Sequence, residues 1–489
     1  MSEDHTVYTH PLTTRYASKE MQKAFSDDER IKTWRKLWLR LATAQHQLGL
    51  DAVSQEALDE LAAAVDSPVN YKLAAEEERR VRHDVMAHVH VLAQECPTAA
   101  GVIHLGATSC YVACNADLII QKQALFIAIK RLIAVIEALA IFCDKQKGLP
   151  VLGATHFQAA QMTTMGKRAS VWLRDLVQDV QDLDRLYQEV PFRGAKGTTG
   201  TQASYLALFH GNHDKVDRLD QLVTKMSDFP DSTRLLVTGQ TYPRSWDLRL
   251  LYGLSTLAAS MHKIATDIRL LAGLGEVAEP LAKDQIGSSA MAYKRNPMRS
   301  ERICSLAKYI GSLPNVAWNT AATQWLERSL DDSAARRLII PEAFLATDAC
   351  LVLMLNVVQG LDVFPGVVQR RINAELPFLA TENIIMAVVE AGGDRQQCHE
   401  RIRVLSREAA ERVKLGDGTN DLVERIMQDP FFEKIHGKMA DLLRPETFIG
   451  RAPEQVSVFL EKQVKPTLES LSVSKMADAA VIEQGEVKV

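Results

Sequence analysis

Between Trp246 and Leu274, seven apolar side chains (Leu250, Leu254, Leu257, Met261, Ile264, Ile268 and Leu271) recur at alternating spacings of four and three residues. A run of that kind is buried as one face of a long helix lying along other helices. The device returns over Met162–Glu189, with Leu173, Leu176, Val180, Leu183 and Tyr187 on one face and Arg174, Asp175, Asp179, Asp182 and Arg185 on the other. Ala113–Gln146 is apolar around much of its circumference, as suits a helix enclosed on several sides. Each of these helices would be roughly 40 Å long at 1.5 Å per residue. Globular helices average ~11–12 residues, so helices this long in series point to an up-and-down bundle. A seam on more than one face of such helices would further imply helices from other subunits. Arg299–Val316 and Pro341–Val358 are two more candidates. No βαβ alternation, sustained strand pattern or repeat competes with an all-α reading.

Three domains are expected. Residues 1–111 hold shorter helices (Asp27–Leu48, Ser54–Ala64, Ala74–Glu95), residues 112–363 the long-helix bundle, and residues 364–489 shorter helices again, with a loose tail from Ser474. The chain has 489 residues, 47% apolar and 24% charged, which suits a globular protein with a large core. A net charge of −4 gives no electrostatic case for nucleic acid or an anionic membrane. The N-terminus lacks the apolar core of a secretory signal, and Lys122, Lys130, Arg131 and Glu137 interrupt the greasy stretch Leu118–Cys143, so neither secretion nor a membrane span is expected. Seven cysteines without a CxxC pair read as buried reduced thiols, and the expected location is the cytoplasm. His83, His88 and His90 are five and two residues apart, spacings that do not put two imidazoles on one helical face, so no metal site is expected. Nor is there a GxxxxGK[ST] phosphate cradle.

The most informative loop is Leu281–Pro297, LAKDQIGSSAMAYKRNP. It joins two long helices, and it combines flexible Gly287, Ser288 and Ser289 with the donors Lys294, Arg295 and Asn296. It resembles the signature loop G-S-S-x-M-P-x-K-x-N-P of the fumarase/aspartase superfamily and departs from it only at Ala292, where proline is usual. Further segments are similar to the adenylosuccinate lyase family within it. They are Arg82-His83-Asp84, Thr155-His156-Phe157-Gln158-Ala159-Ala160-Gln161, Lys196 to Ser204, Ser333-Ala-Ala-Arg-Arg337 and Thr381 to Met386. The likeness runs from about Arg15 to beyond Arg451.

That resemblance implies a homotetrameric all-α lyase whose active sites are shared between subunits and which uses no cofactor. It would release fumarate from adenylosuccinate, giving AMP, and from the succinylo-aminoimidazole-carboxamide ribotide. Such an elimination needs a base for a weakly acidic C–H, an acid for the leaving nitrogen and positive charge for the carbanion-like intermediate. By the resemblance Ser288 is the base, with Ser289 its nearest rival, and His156 the general acid. Lys294 and loop N–H groups would stabilise the serine alkoxide when the loop closes. Arg15, Tyr16, Arg328, Ser333 and Arg337 would grip the phosphate side, where the planar arginine fork suits bidentate pairing. Thr108, Ser109, Thr155, Gln240, Lys294 and Asn296 would hold the succinyl part, and Arg302 is a further ligand. Arg82 belongs to the same motif as His83, the latter a supporting group oriented by Asp84, and His104 lies in a loop brought to the site. The alternatives are another fumarate-releasing lyase of the superfamily, whose substrate lacks a nucleotide phosphate, or a non-catalytic structural protein on the same scaffold.

Overall fold

The heptad seam becomes the Ser245–Gly273 helix, and all seven seam residues are buried. The computed structural model describes residues 6–475 except Lys283 and Asp417. The Ser245–Gly273 helix packs along Met165–Glu189, Met298–Ser312 and Asp332–Gln359, and the last of these and Met165–Glu189 both flank Ser109–Gln146. Five helices thus form one bundle around a shared apolar core. That core also takes in most helices of the first hundred residues, though not Tyr71–Val81, and, near the far end of the chain, Val456, Val464, Leu471 and Val473. A second, smaller core gathers residues between Ala380 and Met439. The Asp332–Gln359 helix is long and apolar enough to cross a membrane by composition alone, but most of it is buried inside the bundle. Of the expected tail, Ser474 and Lys475 end a short helix, Ser472–Lys475, and the rest lies outside the described residues.

Four expectations are corrected. Pro341 does not start a helix; it lies inside Asp332–Gln359, where its ring removes the N–H that would reach the Arg337 carbonyl. The candidate Arg299–Val316 ends at Ser312, and a separate helix begins at Pro314. The stretch Ala74–Glu95 is two helices, Tyr71–Val81 and Asp84–Glu95, because Arg82 is left-handed (φ 55°) and His83 extended. Finally, the all-α bundle carries a β-hairpin, Pro150–Thr155 paired antiparallel with Gln158–Thr164. The register slips near Gly153, a bulge where any Cβ would sit 2.3 Å from the Gln161 carbonyl oxygen.

Candidate active site

The break between the two short helices creates the first cluster. His83 is the N-cap of Asp84–Glu95: its Nδ1 accepts from the Met86 N–H at 3.3 Å, which leaves Nε2 to carry the proton toward Ser109 Oγ at 3.2 Å. Asp84 Oδ1 lies 3.7 Å from the same Nδ1. The Asp84 carboxylate also caps the Val85 N–H at 2.8 Å and accepts from Arg337 at 3.2 Å. His104, at φ 68°, accepts from the Trp38 indole N–H at 2.9 Å. Burial, with a smaller push from His83, lowers its pKa to about 4, so its imidazole is neutral near pH 7.

Thr108 occupies the N-cap of Ser109–Gln146, but its hydroxyl makes no capping bond. The first N–H groups of that helix and the Thr108 and Ser109 hydroxyls are therefore placed to bind a carboxylate. Next to them a cavity of about 260 Å³ is lined by Cys110, Cys114, Arg244, Arg328, Ser333, Arg336 and Arg337, among others. Gln240 reaches its edge, with Oε1 at 3.7 Å from Cys110 Sγ. Buried Asp332 accepts from Arg244 at 2.6 Å and Arg328 at 3.1 Å, and Arg336 donates to Asp247 and Asp117. Arg244 and Arg336 were missed by sequence reasoning. Arg336 stands within the quoted Ser333–Arg337 motif, but an isolated arginine in a helical sequence carries no sign that it faces a cavity.

The second cluster is the hairpin tip. Thr155 pairs with Gln158, so His156 and Phe157 form a two-residue turn with φ of 53° and 58°. A turn with both residues left-handed normally takes Asn-Gly, and two ring-bearing residues there carry backbone strain of the kind concentrated at functional sites. His156 is exposed.

The third cluster is the signature loop. Gly287 and Lys294 meet at its neck: a Cβ on Gly287 would lie 2.3 Å from the Lys294 carbonyl oxygen, and Asn296 donates to the Gly287 carbonyl at 3.0 Å. This closure accounts for the spacing of glycine, lysine and asparagine in the motif. Within the pinched loop, Ser288 Oγ accepts from the N–H groups of Met291 (3.2 Å) and Ala290 (3.4 Å), while Ser289 is exposed. The Lys294 side chain is exposed. The stem is anchored by Glu279, a residue without any sequence signal. Its buried carboxylate accepts from the Arg299 and Ser300 N–H groups, and its carbonyl from Arg295, which also reaches Asp362 at 3.0 Å. Arg302, one turn into the next helix, stacks over the Tyr16 ring at 5.2 Å, and Arg15 beside it is exposed.

One chain therefore does not bring its predicted residues into one place. His83, Asp84, His104, Thr108, Ser109, Gln240, Arg328, Ser333 and Arg337 gather around the start of Ser109–Gln146, with Arg82 adjoining. His156 sits on a hairpin that begins four residues after the end of that 38-residue helix. At 1.5 Å per residue the helix spans about 57 Å. A six-residue strand folded straight back would recover only about 20 Å, so these lengths set the two histidines at least roughly 35 Å apart. The signature loop likewise lies beyond the far end of the 29-residue Ser245–Gly273 helix, whose start adjoins Arg244 and Asp332.

A lyase family model matches residues 6–310, and a model described as the adenylosuccinate lyase C-terminus matches residues 377–459. The adenylosuccinate lyase of Saccharomyces cerevisiae is 55% identical over 95% of this chain and 96% of its own length. That of Schizosaccharomyces pombe is 52% identical over 98% of this chain and 100% of its own. Among solved structures, a fumarate lyase from Mesorhizobium sp. BNC1 superposes with a TM-score of 0.77 at 23% identity, over 93% of this chain and 100% of that one, which speaks to the fold. The chain belongs to the adenylosuccinate lyase family.

Proposed function

We propose that this enzyme cleaves adenylosuccinate to AMP and fumarate, and cleaves the succinylo-aminoimidazole-carboxamide ribotide in the same way, in purine nucleotide biosynthesis. The observation that carries the reading is full-length identity of 55% to a relative bearing that name. The geometry supports an assignment of roles. Ser288 takes the proton from the carbon beside the carboxylate. The two N–H groups already aimed at its oxygen, with Lys294, favour the alkoxide it needs, a reason to prefer it to Ser289. His156 protonates the departing nitrogen. Thr108, Ser109, Thr155, Gln240 and Asn296 hold the succinyl carboxylates, Arg328, Ser333 and Arg337 the phosphate, and Arg15, Tyr16 and Arg302 complete the nucleotide side. No cofactor or metal enters the scheme.

The wide separation of the clusters supports sites shared between chains of a homotetramer. So do the exposed Trp318, Trp325, Leu326, Leu330 and Leu338, a concentration of apolar surface that needs a partner. A groove of small residues between Ser245–Gly273 and Met298–Ser312, with Ser255, Ala258, Ala259 and Gly311, suits close approach of another helix. The buried free thiols are consistent with a reducing cytoplasm. Ultraviolet absorbance follows fumarate release from adenylosuccinate directly. Folded protein without that activity would overturn the reading.

A further inference from the structure

Cys110 and Cys114 lie one helical turn apart at the start of Ser109–Gln146, and both line the arginine cavity. The elimination chemistry uses neither. Cys114 accepts from Arg244 Nη2 at 3.9 Å, while the other terminal nitrogen of that buried guanidinium has no hydrogen-bond partner. Burial raises the Cys114 thiol pKa, but the Cys110 thiol and the Arg244, Arg193 and Arg336 guanidiniums more than offset this and bring it well below the usual value. The other cysteines with a shift go the opposite way. Burial pushes Cys143 up to about 12 and Cys398 up to about 11, and raises Cys96 and Cys350 as well, while Cys110 is raised by its hydrogen bond to Cys114 and by burial, so that Cys110 keeps the proton the pair shares.

We propose that Cys114 is a peroxide-sensitive thiol and Cys110 its resolving partner, forming a disulfide that closes the floor of the arginine cavity. In the first step the Cys114 thiolate attacks a hydroperoxide. An S–O bond forms, the O–O bond breaks, sulfur is oxidised, and hydroxide (or alkoxide) leaves beside the unpartnered Arg244 nitrogen. In the second, the Cys110 sulfur displaces the oxygen of the sulfenic acid. The S–S bond forms and the thiol proton leaves with the oxygen as water. Helix geometry sets the two Cα atoms about 6.2 Å apart, inside the range of disulfides. The Cβ atoms, about 5–6 Å apart, must draw closer by an ångström or more. That motion falls in the first turn, where Cys110 has no intrahelical acceptor for its own N–H.

The chemical step stands independently of the proposed function; only its consequence, loss of substrate binding in this cavity, rests on that reading. Full-length protein is treated with hydrogen peroxide, trapped with dimedone and mapped by peptide mass spectrometry. The expected products are a Cys110–Cys114 disulfide in the wild type and a dimedone adduct on Cys114 in Cys110→Ser. Absence of both, or equal oxidation of all seven cysteines, would overturn the chemical proposal. Fumarate release should fall in proportion to the disulfide and return with dithiothreitol. Full activity in completely disulfide-linked enzyme would overturn the consequence alone.

Discussion

A separation of at least roughly 35 Å between His83 and His156 within one chain, set by the lengths of the helix and strand between them, makes a quantitative prediction about hybrids. His156→Ala should lose at least ~100-fold in turnover, the lower end for a positioned acid–base group, and His83→Ala, which removes the supporting hydrogen bond to Ser109, is expected to lose as much. Suppose each site draws these two residues from different subunits. In the proposed tetramer, reassembled at random from equal amounts of the two variants, a site then receives both histidines about one time in four. The mixture should recover about a quarter of wild-type activity, or at least ~25-fold more than either parent. The assay is fumarate release after joint dissociation in mild denaturant and refolding, with native mass spectrometry verifying that mixed tetramers have formed. Parent variants carried separately through the same cycle give the baseline. Verified hybrids with no gain would mean that both histidines act from one chain, and the distance argument from the 38-residue helix would fail.

Four further outcomes follow from the geometry. Ser288→Ala and His156→Ala, each correctly folded, should lose ~10²–10⁴-fold in turnover, and near-normal rates in either would remove it from its role. The Lys294 N–H bonds the Met291 carbonyl at 3.0 Å, placing Ala292 second in a four-residue turn, where proline fits. Ala292→Pro should therefore stabilise the closed loop by ~0.4–1 kcal/mol, lower KM two- to five-fold, and slow hydrogen exchange over residues 284–297; a dead enzyme would mean a different backbone path. His104 has its folded pKa lowered from 6.5 to about 4, so the unfolded chain binds more protons in that window and stability falls as pH drops below 6.5. Urea unfolding should show a loss of about 2 kcal/mol from pH 7.5 to pH 5 that is absent in His104→Phe, and an unchanged pH dependence would refute the assignment. Glu279→Gln removes the charge that receives the Arg299 and Ser300 N–H groups, so hydrogen exchange in the loop should quicken and kcat fall more than KM rises; unaltered exchange would show that the loop does not depend on this anchor.

The amino-acid sequence determined much of this protein by itself. The alternating spacings from Leu250 to Leu271 required a long helix against other helices, because no other element buries that pattern. The signature loop was legible through its resemblance to a superfamily motif; its closure, with glycine at the neck and lysine and asparagine across from it, came from the structure. What tertiary structure alone decided is of three kinds. Pattern could not reveal that Arg82 and His83 break a helix, since both tolerate helical conformation and the break is held by contacts from elsewhere, Ser109 to His83 and Arg337 to Asp84. Nor could it reveal the hairpin that lifts His156, whose turn residues are ones that local preference argues against. Least visible of all were Arg244, Arg336 and Glu279, single charged residues whose meaning comes from burial beside distant partners. Periodicity records which face of a helix is apolar. It does not record where that helix ends relative to another, and the separation of the three clusters is set by those lengths and endpoints.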